Sequence, residues 1–427
     1  MWTAHLYQTV SGQIGPRLEF ESLDWSIELN GTESINVTLK KADLPKISSM
    51  EWLSPWWAGV VVLWKGEAIV AGPIIARPYE TSTRVSLACG GIRALLSKRI
   101  VVNEQSNWSK ISSSVVRFEG LGLGTIAKRV VEVAQQKPGG RLPIVYALPD
   151  ETKATGANHE RTYRGFNVST LDCDAVLTKL SNVINGPDIM FKPRITGNMV
   201  EFVMWTGTEK NPRIYQNNTP TWDFTTANSA ISDLQVVVTG SYQTHRVFSV
   251  GAGMDEGTLI TTHFNDNPIQ KQYPLLETVV NTSESEDKNT VGQHGMAELT
   301  SNRVPLLEIQ MTVRGDGIIE FGDFWPGDLV NVVTKNWISI PDGVTPMRLL
   351  QVDGGSDNSI RMSLQLDDKL AEPPSNRRDW RTHGLPACKA EDGTNCYWDA
   401  SIRGNGKGRS FTNINGITHY WDEMSDD

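Results

Sequence analysis

The sequence predicts a mainly β protein with an α+β part: two small antiparallel β-barrel domains that flank an α+β domain, and a short C-terminal extension. Its length of 427 residues allows about three domains at ~150 residues each. Apolar and polar residues alternate over about the first 100 residues and again from about residue 216, which is the period of β-strands. Between these parts the apolar period is helical.

The first β-barrel domain is expected over residues 1–105. Leu23 to Leu29 and Ile35 to Leu39 alternate and predict two paired strands. A three-residue loop, residues 30–32, is favoured between them, because it places the apolar residues of the two strands opposite each other on one face of the sheet. The predicted pairs are Ile27 with Ile35, Trp25 with Val37, and Leu23 with Leu39. A second hairpin is expected from the apolar runs 60–64 and 68–71 around Lys65-Gly66, followed by a strand at 85–89.

The α+β domain is expected over residues 106–215. Amphipathic patterns predict helices at about 125–136, before Pro138-Gly139-Gly140, and at about 169–183, before Asn185-Gly186-Pro187. The runs 189–195 and 199–205 predict a hairpin around Gly197-Asn198. Two helices and a hairpin indicate a small mixed domain.

The second β-barrel domain is expected over residues 216–370, with a polar helical insertion at about 290–301. Residues 371–427 are expected to be a docking extension, because about 55 residues can bury little core of their own. Cys388 and Cys396 flank a turn-rich loop there, so a disulfide and two free thiols both remain open. A zinc site with His383 and His419 is disfavoured by irregular spacing.

Composition excludes several classes of protein. The net charge of -9 and the absence of a Lys/Arg cluster weigh against a duplex-binding protein. No apolar run reaches the ~18 residues of a membrane-spanning helix, and the start lacks the pattern of a secretory signal. Tryptophan is in excess, with 14 Trp against 11 Phe and 9 Tyr, which suits cores and subunit interfaces and also sugar-binding platforms.

The search for catalytic chemistry gives no candidate catalytic, cofactor-binding or metal-binding residue. Gly120 to Ala127 contains a G-x-G-x-x-A pattern before a helix, but no parallel βαβ unit surrounds it, so glycines that ease a tight helix entry are the favoured interpretation. His245 precedes a strand and is interpreted as a surface or hydrogen-bonding residue. Asp367-Asp368 is interpreted as a turn. The sequence therefore predicts no cofactor and no enzyme.

Three tryptophans lie where loops meet strands. Trp56 and Trp57 follow Ser54-Pro55, and Trp325 precedes Pro326-Gly327-Asp328, a turn that opens a buried strand. They are candidate anchors for a neighbouring subunit, with simple core packing as the equal alternative.

Two separated blocks resemble one known family. The first holds Trp64-Lys65-Gly66, Gly72-Pro73-Ile74 and the segments 85–91 and 95–99. The second runs from Arg246–Gly253 through Tyr273–Glu277, the 290–301 helix and Val304-Pro305 to Pro326-Gly327-Asp328. Their order and spacing, over about residues 15–370, resemble the tail hub proteins of tailed bacteriophages, also called minor tail or baseplate hub proteins in siphophages.

The resemblance implies a structural protein of the virion tail tip, assembled in the host cytoplasm. Such hubs resemble rings of three chains in which each chain supplies two related β-barrels, so that six barrels continue a six-fold tail tube. The implied partners are two further copies of the chain, the distal tail protein ring, the tape measure protein, and tip or fibre proteins. The channel would be closed until infection and then pass genomic DNA without sequence recognition and without stable membrane insertion.

One alternative from another class remains open. A cell-wall-targeting enzyme or a carbohydrate-binding tail protein could use the tryptophans as sugar platforms. The C-terminal extension is too short for the peptidoglycan-cutting domain of the family's larger members, which weighs against lytic activity. The host, the receptor, the partner of residues 371–427 and the trimerisation of the isolated chain stay open.

Overall fold

A computed structural model describes fourteen stretches of the chain. These are residues 2–46, 49–103, 108–157, 159–183, 185–214, 219–226, 229–265, 273–282, 285–317, 319–366, 388–389, 395–396, 410–412 and 418–420. Residues Met1–Gln365 form one compact unit and Leu366–Asp427 a second. The two domain boundaries predicted within residues 1–370, at 105/106 and 215/216, stay predictions, since both lie inside the first unit.

The first β-region has seven strands, and its sheet curls back on itself. They are β1 (Trp2–Gln8), β2 (Ile14–Leu18), β3 (Phe20–Glu28), β4 (Ser34–Lys40), β5 (Ala58–Trp64), β6 (Glu67–Ala76) and β7 (Arg84–Gly90). Their order is β3-β4-β7-β6-β5-β1-β2. Only Glu19 separates β2 from β3, although these strands lie at opposite ends of the order. The chain itself therefore brings the two ends of the sheet together.

The central hairpin of this region confirms the sequence prediction. Every residue of β5 is buried, as expected of a strand covered on both faces. β5 pairs with β6 through the turn at Lys65 and Gly66, whose φ angles are 50° and 94°. Two successive positive φ angles are typical of the tight turn that matches the twist of paired strands.

The predicted register between β3 and β4 is wrong by two residues. Trp25 pairs with Ile35, and Leu23 with Val37. Apolar residues therefore still lie opposite apolar residues, but the loop is longer than three residues. The cause is a contact with a part of the chain far from the hairpin. The end of β3 pairs with a strand from the second β-region, where Ile27 lies opposite Val352.

The α+β region contains three of the helices. They are α1 (Ile92–Leu96), α2 (Leu123–Gln135) and α3 (Cys173–Ser181). Its strands are β8 (Val115–Phe118), β9 (Ile144–Tyr146), β10 (Arg161–Arg164), β11 (Ile189–Thr196) and β12 (Met199–Thr206). The predicted helices and the hairpin β11–β12 are confirmed. α2 packs with the first β-region in one core, in which Tyr7 and Val61 join Ile126 and Phe202.

The second β-region curls in the same way as the first. Its main strands are β13 (Thr221–Asp223), β14 (Ile231–Thr239), β18 (Leu306–Arg314), β19 (Leu329–Thr334), β20 (Gly343–Gly355) and β21 (Ser359–Leu366). They run in the order β14-β18-β21-β20, and β19 then links β20 to β13. The end strands β13 and β14 are again neighbours in the sequence, so this sheet also turns back on itself.

An insertion between β14 and β18 forms a small sheet and a helix. Its strands β15 (Arg246–Val250), β16 (Ile260–Phe264) and β17 (Glu277–Asn281) lie in the order β16-β15-β17. The helix α4 (Lys288–Ser301) confirms the predicted polar helix. Short 3-10 segments occur at Lys41–Lys46, Met50–Leu53, Trp108–Ser113, Gly165–Thr170 and Asp255–Gly257.

The two β-regions are one continuous sheet. β20 pairs with β3 from Gln351 opposite Glu28 to Gly355 opposite Asp24, which joins the two curled sheets into thirteen strands. The prediction of a mainly β fold with an α+β part is confirmed. The β-regions themselves are curled and open within the described ranges, where no closed barrel is formed. The shared strand pair at β20 and β3 joins them.

The second unit is described only by two short strand pairs. β22 (Cys388–Lys389) pairs antiparallel with β23 (Asn395–Cys396), and β24 (Ser410–Thr412) with β25 (Thr418–Tyr420). Cys388 is the backbone partner of Cys396. The open question of a disulfide concerns side chains that lie outside the described residues, as do the possible zinc ligand His383 and the pair Asp367-Asp368.

Candidate functional site: the interdomain joint and the exposed sheet

One buried carboxylate joins all three regions of the first unit. Asp188, just before β11, accepts hydrogen bonds from Asn30 Nδ2 at 3.1 Å and from the backbone N–H of Ile214 at 2.7 Å. Its Oδ2 atom also pairs with the guanidinium of Arg348 on β20. Asp188 is 7% exposed and Arg348 15%. A buried, fully bonded ion pair of this kind fixes the relative position of the elements that carry it.

Asn30 is the part of this joint that comes from the first β-region. Its φ angle of 58° lies in the left-handed region, which asparagine tolerates better than most residues. Its side-chain oxygen accepts from the N–H of Ile189 at 2.7 Å, and its carbonyl accepts from Arg93. These bonds explain the wide loop between β3 and β4, because the loop reaches out to the α+β region.

Arg93 forms the second connection between the first two regions. Its side chain is buried, donates to Asp174 Oδ1 at 2.5 Å and to Thr178 Oγ1 at 2.8 Å, and both acceptors lie on α3. The short helix α1 that carries Arg93 is thereby held against α3. Three acceptors satisfy the planar guanidinium in a fixed geometry.

A buried acid lies beside this connection. Burial raises the pKa of Glu33 from 4.5 to about 7, while its own backbone N–H and nearby Arg93 lower the pKa and Asp174 raises it. A Cβ atom at Gly91 would lie 1.7 Å from Glu33 Oε2, so the carboxyl group needs a glycine there. Glu33 therefore favours its neutral form in the folded chain.

Five of the 14 tryptophans belong to an aromatic cluster that begins between the two β-regions. Trp2 lies 4.7 Å from Trp64 and 5.4 Å from Trp25 between ring centroids, and Phe321 lies 5.1 Å from Trp25. All four rings are buried. The cluster continues within the second β-region through Phe324, Trp222 and Trp325. Tilted and edge-to-face pairs of this kind stabilise a joint beyond the area that they bury.

Trp325 packs in the core of the chain, which favours core packing over the alternative of an anchor for a neighbouring subunit. It is buried, and Lys192 Nζ of β11 lies 4.9 Å above its ring. Burial lowers the pKa of Lys192. The turn at Gly327 and Asp328 is confirmed, since Asp328 Oδ2 accepts from the N–H of Trp325 at 2.6 Å. Trp57 is 36% exposed and keeps both interpretations open.

The glycine-rich segment before α2 is occupied by a carboxylate of the chain itself. Glu209 Oε1 accepts from the N–H of Leu123, the first residue of α2, at 3.1 Å, and Oε2 accepts from the N–H of Ala154 at 3.0 Å. A Cβ at Gly124 would lie 2.3 Å from the carbonyl of Gly207. The strand before α2, β8, pairs with β10, whereas β9 after it pairs with β12. The glycines thus serve close backbone packing.

Several sequence interpretations concern single residues. His245 is buried, at 1% exposure, so its interpretation as a surface residue is wrong. It lies just before β15, and its backbone N–H donates to the carbonyl of Leu276. Cys89 and Cys173 are buried free thiols, and burial raises the pKa of both. Within the described ranges, no group of three or more His, Cys, Asp or Glu could hold a metal ion. No helix described by the structure is long and apolar enough to cross a membrane.

The small sheet of the insertion is unusual because one of its faces exposes several large apolar side chains. Ile260 and Phe264 on β16 and Val279 on β17 are 53%, 61% and 65% exposed. The opposite face packs on α4 and includes polar side chains, since a Cβ at Gly295 would meet Ser249 Oγ and His263 Cδ2. An exposed apolar sheet face on a structured chain is typical of a surface that contacts another protein.

The sequence missed the residues of the joint. Asn30, Asp188 and Arg348 carry no common motif, and Asp188 and Arg348 are separated by 160 positions. Of the three, only Asn30 was noted in the sequence, as the first residue of the predicted three-residue loop 30–32. The exposed face of the insertion carries no clear alternating signal either, because Thr261, Thr262 and His263 separate Ile260 from Phe264.

The fold defines a class: two curled, mostly antiparallel sheets that are joined through one strand pair, with an α+β region against the first of them. Two solved structures have this fold. The tail protein from Neisseria meningitidis MC58 matches with a TM-score of 0.50 at 14% identity, over 86% of this chain and 97% of that chain. The 43 kDa tail protein of prophage MuSo2 from Shewanella oneidensis matches with a TM-score of 0.53 at 11% identity, over 86% and 99%.

These likenesses confirm the resemblance at the level of the fold. No protein-family model and no curated protein matches the chain. The chain therefore has the fold of these two tail proteins.

Proposed function

We propose that the chain is a structural hub of a bacteriophage tail tip. The observation that carries the proposal is the duplication in the fold. Each β-region is a curled sheet whose end strands are neighbours in the sequence, and the two sheets are joined through β20 and β3. The fold shared with two tail proteins supports the same conclusion.

The duplication suits a change of symmetry. Three chains that each carry two similar curled sheets present six roughly equivalent surfaces, so a three-fold tip can meet a six-fold tail tube. The joint at Asp188 and the aromatic cluster would keep the two sheets of each chain in fixed positions. A rigid pair is what such an adaptor requires.

The proposed partners follow from this position in the virion. The chain would form a homotrimer that contacts the distal tail protein ring on one side and tip or fibre proteins on the other. It would receive the end of the tape measure protein and close the channel until DNA passes. The net charge of -9 suits such a conduit, because a negative wall does not retain phosphates.

The proposed role is structural and non-enzymatic. A nonsense mutation in the gene should abolish infectious particles, and complementation in trans should restore them with this chain in purified tails, as detected by mass spectrometry. Particles that assemble and infect normally without the chain would contradict the proposal. Clearing of cell-wall material by the purified chain in a zymogram would instead favour the enzyme alternative.

A further inference from the structure

The free edge of β16 lines a cleft of the first unit. This cleft has a volume of about 1080 Å³ and lies between the insertion and the α+β region. One wall holds four consecutive residues of β16, Ile260 to His263, together with one side of α4. The other wall is formed by segments around His159 and Glu209. β16 is an end strand of its sheet, so its outer edge has no strand partner among the described residues.

The hydrogen bonds of the sheet show which backbone groups face the cleft. Gly251 donates to the carbonyl of Leu259 at 2.7 Å, and Asn265 donates to the carbonyl of His245 at 2.8 Å. In an antiparallel pair the bonded positions alternate, so odd-numbered residues of β16 bond to β15. The N–H and C=O groups of Ile260, Thr262 and Phe264 therefore point away from β15, towards the open edge.

The charges of the cleft indicate the chemistry of an occupant. The Glu209 carboxylate is already engaged by two backbone N–H groups and lies 3.2 Å from His159 Nε2. Lys210 and Lys288 also line the cleft, are exposed, and have no ion-pair partner among the described residues. Two lysines against one glutamate leave the lining with a net positive formal charge when His159 is neutral.

From this geometry we propose that the cleft binds an extended acidic polypeptide segment of a partner protein, which adds to β16 as a further strand. Main-chain bonds to residues 260, 262 and 264 supply the attachment. Side chains on one face of the guest continue the apolar surface of Ile260 and Phe264, and acidic side chains reach the two lysines. The guest is therefore a segment that alternates apolar and acidic residues. This inference does not depend on the proposed function.

The test uses the full chain and a short synthetic peptide that alternates valine and glutamate, labelled for fluorescence anisotropy. The peptide should bind saturably, and the matched valine and lysine peptide should not. Methylation of the peptide amides that face β16 should weaken binding about fivefold or more, while methylation of the alternate amides should leave it unchanged. The two methylated peptides differ only in which edge of the strand has lost its hydrogen-bond donors. Their comparison therefore needs no variant protein.

Variants of the chain provide the second part of the test. Thr262→Pro removes an outward N–H and no bond to β15, so it should weaken binding about fivefold or more, whereas Thr262→Val should not. Lys210→Gln with Lys288→Gln should weaken binding and flatten its salt dependence. Absence of binding, or equal binding of both methylated peptides, would overturn the proposal. Binding that prefers the lysine peptide would overturn it as well.

Discussion

The carboxylate of Asp188 and the guanidinium of Arg348 form a buried pair between the α+β region and the second β-region. Removal of one partner leaves the other charge buried, so Arg348→Met should destabilise the chain by about 2–4 kcal/mol. Urea denaturation gives this difference in the free energy of unfolding.

The exposed pair of Arg84 and Glu21 is the matched control for this variant. Arg84→Met should cost much less than Arg348→Met, because exposed ion pairs contribute little. The double variant Asp188→Asn with Arg348→Met should recover part of the loss. Equal effects of Arg348→Met and Arg84→Met would show that the joint does not hold the regions together.

Glu33 should make stability depend on pH. Its pKa is raised to about 7 by burial, so its contribution is fully present below pH 4.5 and is lost as the pH rises through 7. Glu33→Gln imitates the neutral acid. At pH 8 its free energy of unfolding in urea denaturation should exceed that of the parent by about 2–3 kcal/mol. At pH 4 the two proteins should be nearly equal. A difference that does not change with pH would contradict the assignment.

Gly124 tests the account of the glycine-rich segment. A Cβ there meets the backbone carbonyl of Gly207 at 2.3 Å, so Gly124→Ala should cost about 1–3 kcal/mol in urea denaturation. Gly257→Ala is the control, because no heavy atom lies within 4 Å of its built Cβ. A stable Gly124→Ala protein would mean that the close approach of residues 206–209 is not required.

The same segment should not bind a nicotinamide dinucleotide. The Glu209 carboxylate already accepts from the first N–H of α2, and a pyrophosphate at that position would meet its negative charge. Isothermal titration calorimetry with NAD should therefore give no binding heat. A measurable stoichiometric heat would restore the dinucleotide interpretation of Gly120 to Ala127.

Two tryptophans separate packing inside the chain from possible anchoring of a neighbour. Trp2 is buried and its Nε1 donates to the carbonyl of Asp357 at 2.8 Å, so Trp2→Phe should cost about 1–3 kcal/mol. Trp57 is partly exposed, and Trp57→Phe should cost less than about 1 kcal/mol in the isolated chain. Urea denaturation followed by circular dichroism measures both. A larger loss for Trp57→Phe would place that ring in the core.

The elements that were predicted correctly from the sequence are those whose formation depends on residues close together in the chain. The continuous apolar runs in β5 and β6, the turn at Lys65-Gly66 and the amphipathic pattern of α2 each depend on neighbouring residues. The β3–β4 register was wrong because the end of β3 pairs with β20, more than 300 residues further along the chain. No local pattern contains that pairing.

The candidate site could be predicted only in part for the same reason. The excess of tryptophan was visible in the composition, but the contact of Trp2 with Trp64 and Trp25 depends on the joining of two sheets. Asp188 looked like an ordinary loop acid after Pro187. Its role follows from Asn30 and Arg348, which reach it from distant parts of the chain.

The most direct test of the proposed hub is cryo-electron microscopy of tail tips from virions that carry this chain. We expect three copies around the tail axis, with six curled sheets forming a ring that continues the tail tube. Six copies would contradict the proposed adaptation between symmetries. A position outside the axial ring would contradict the hub itself.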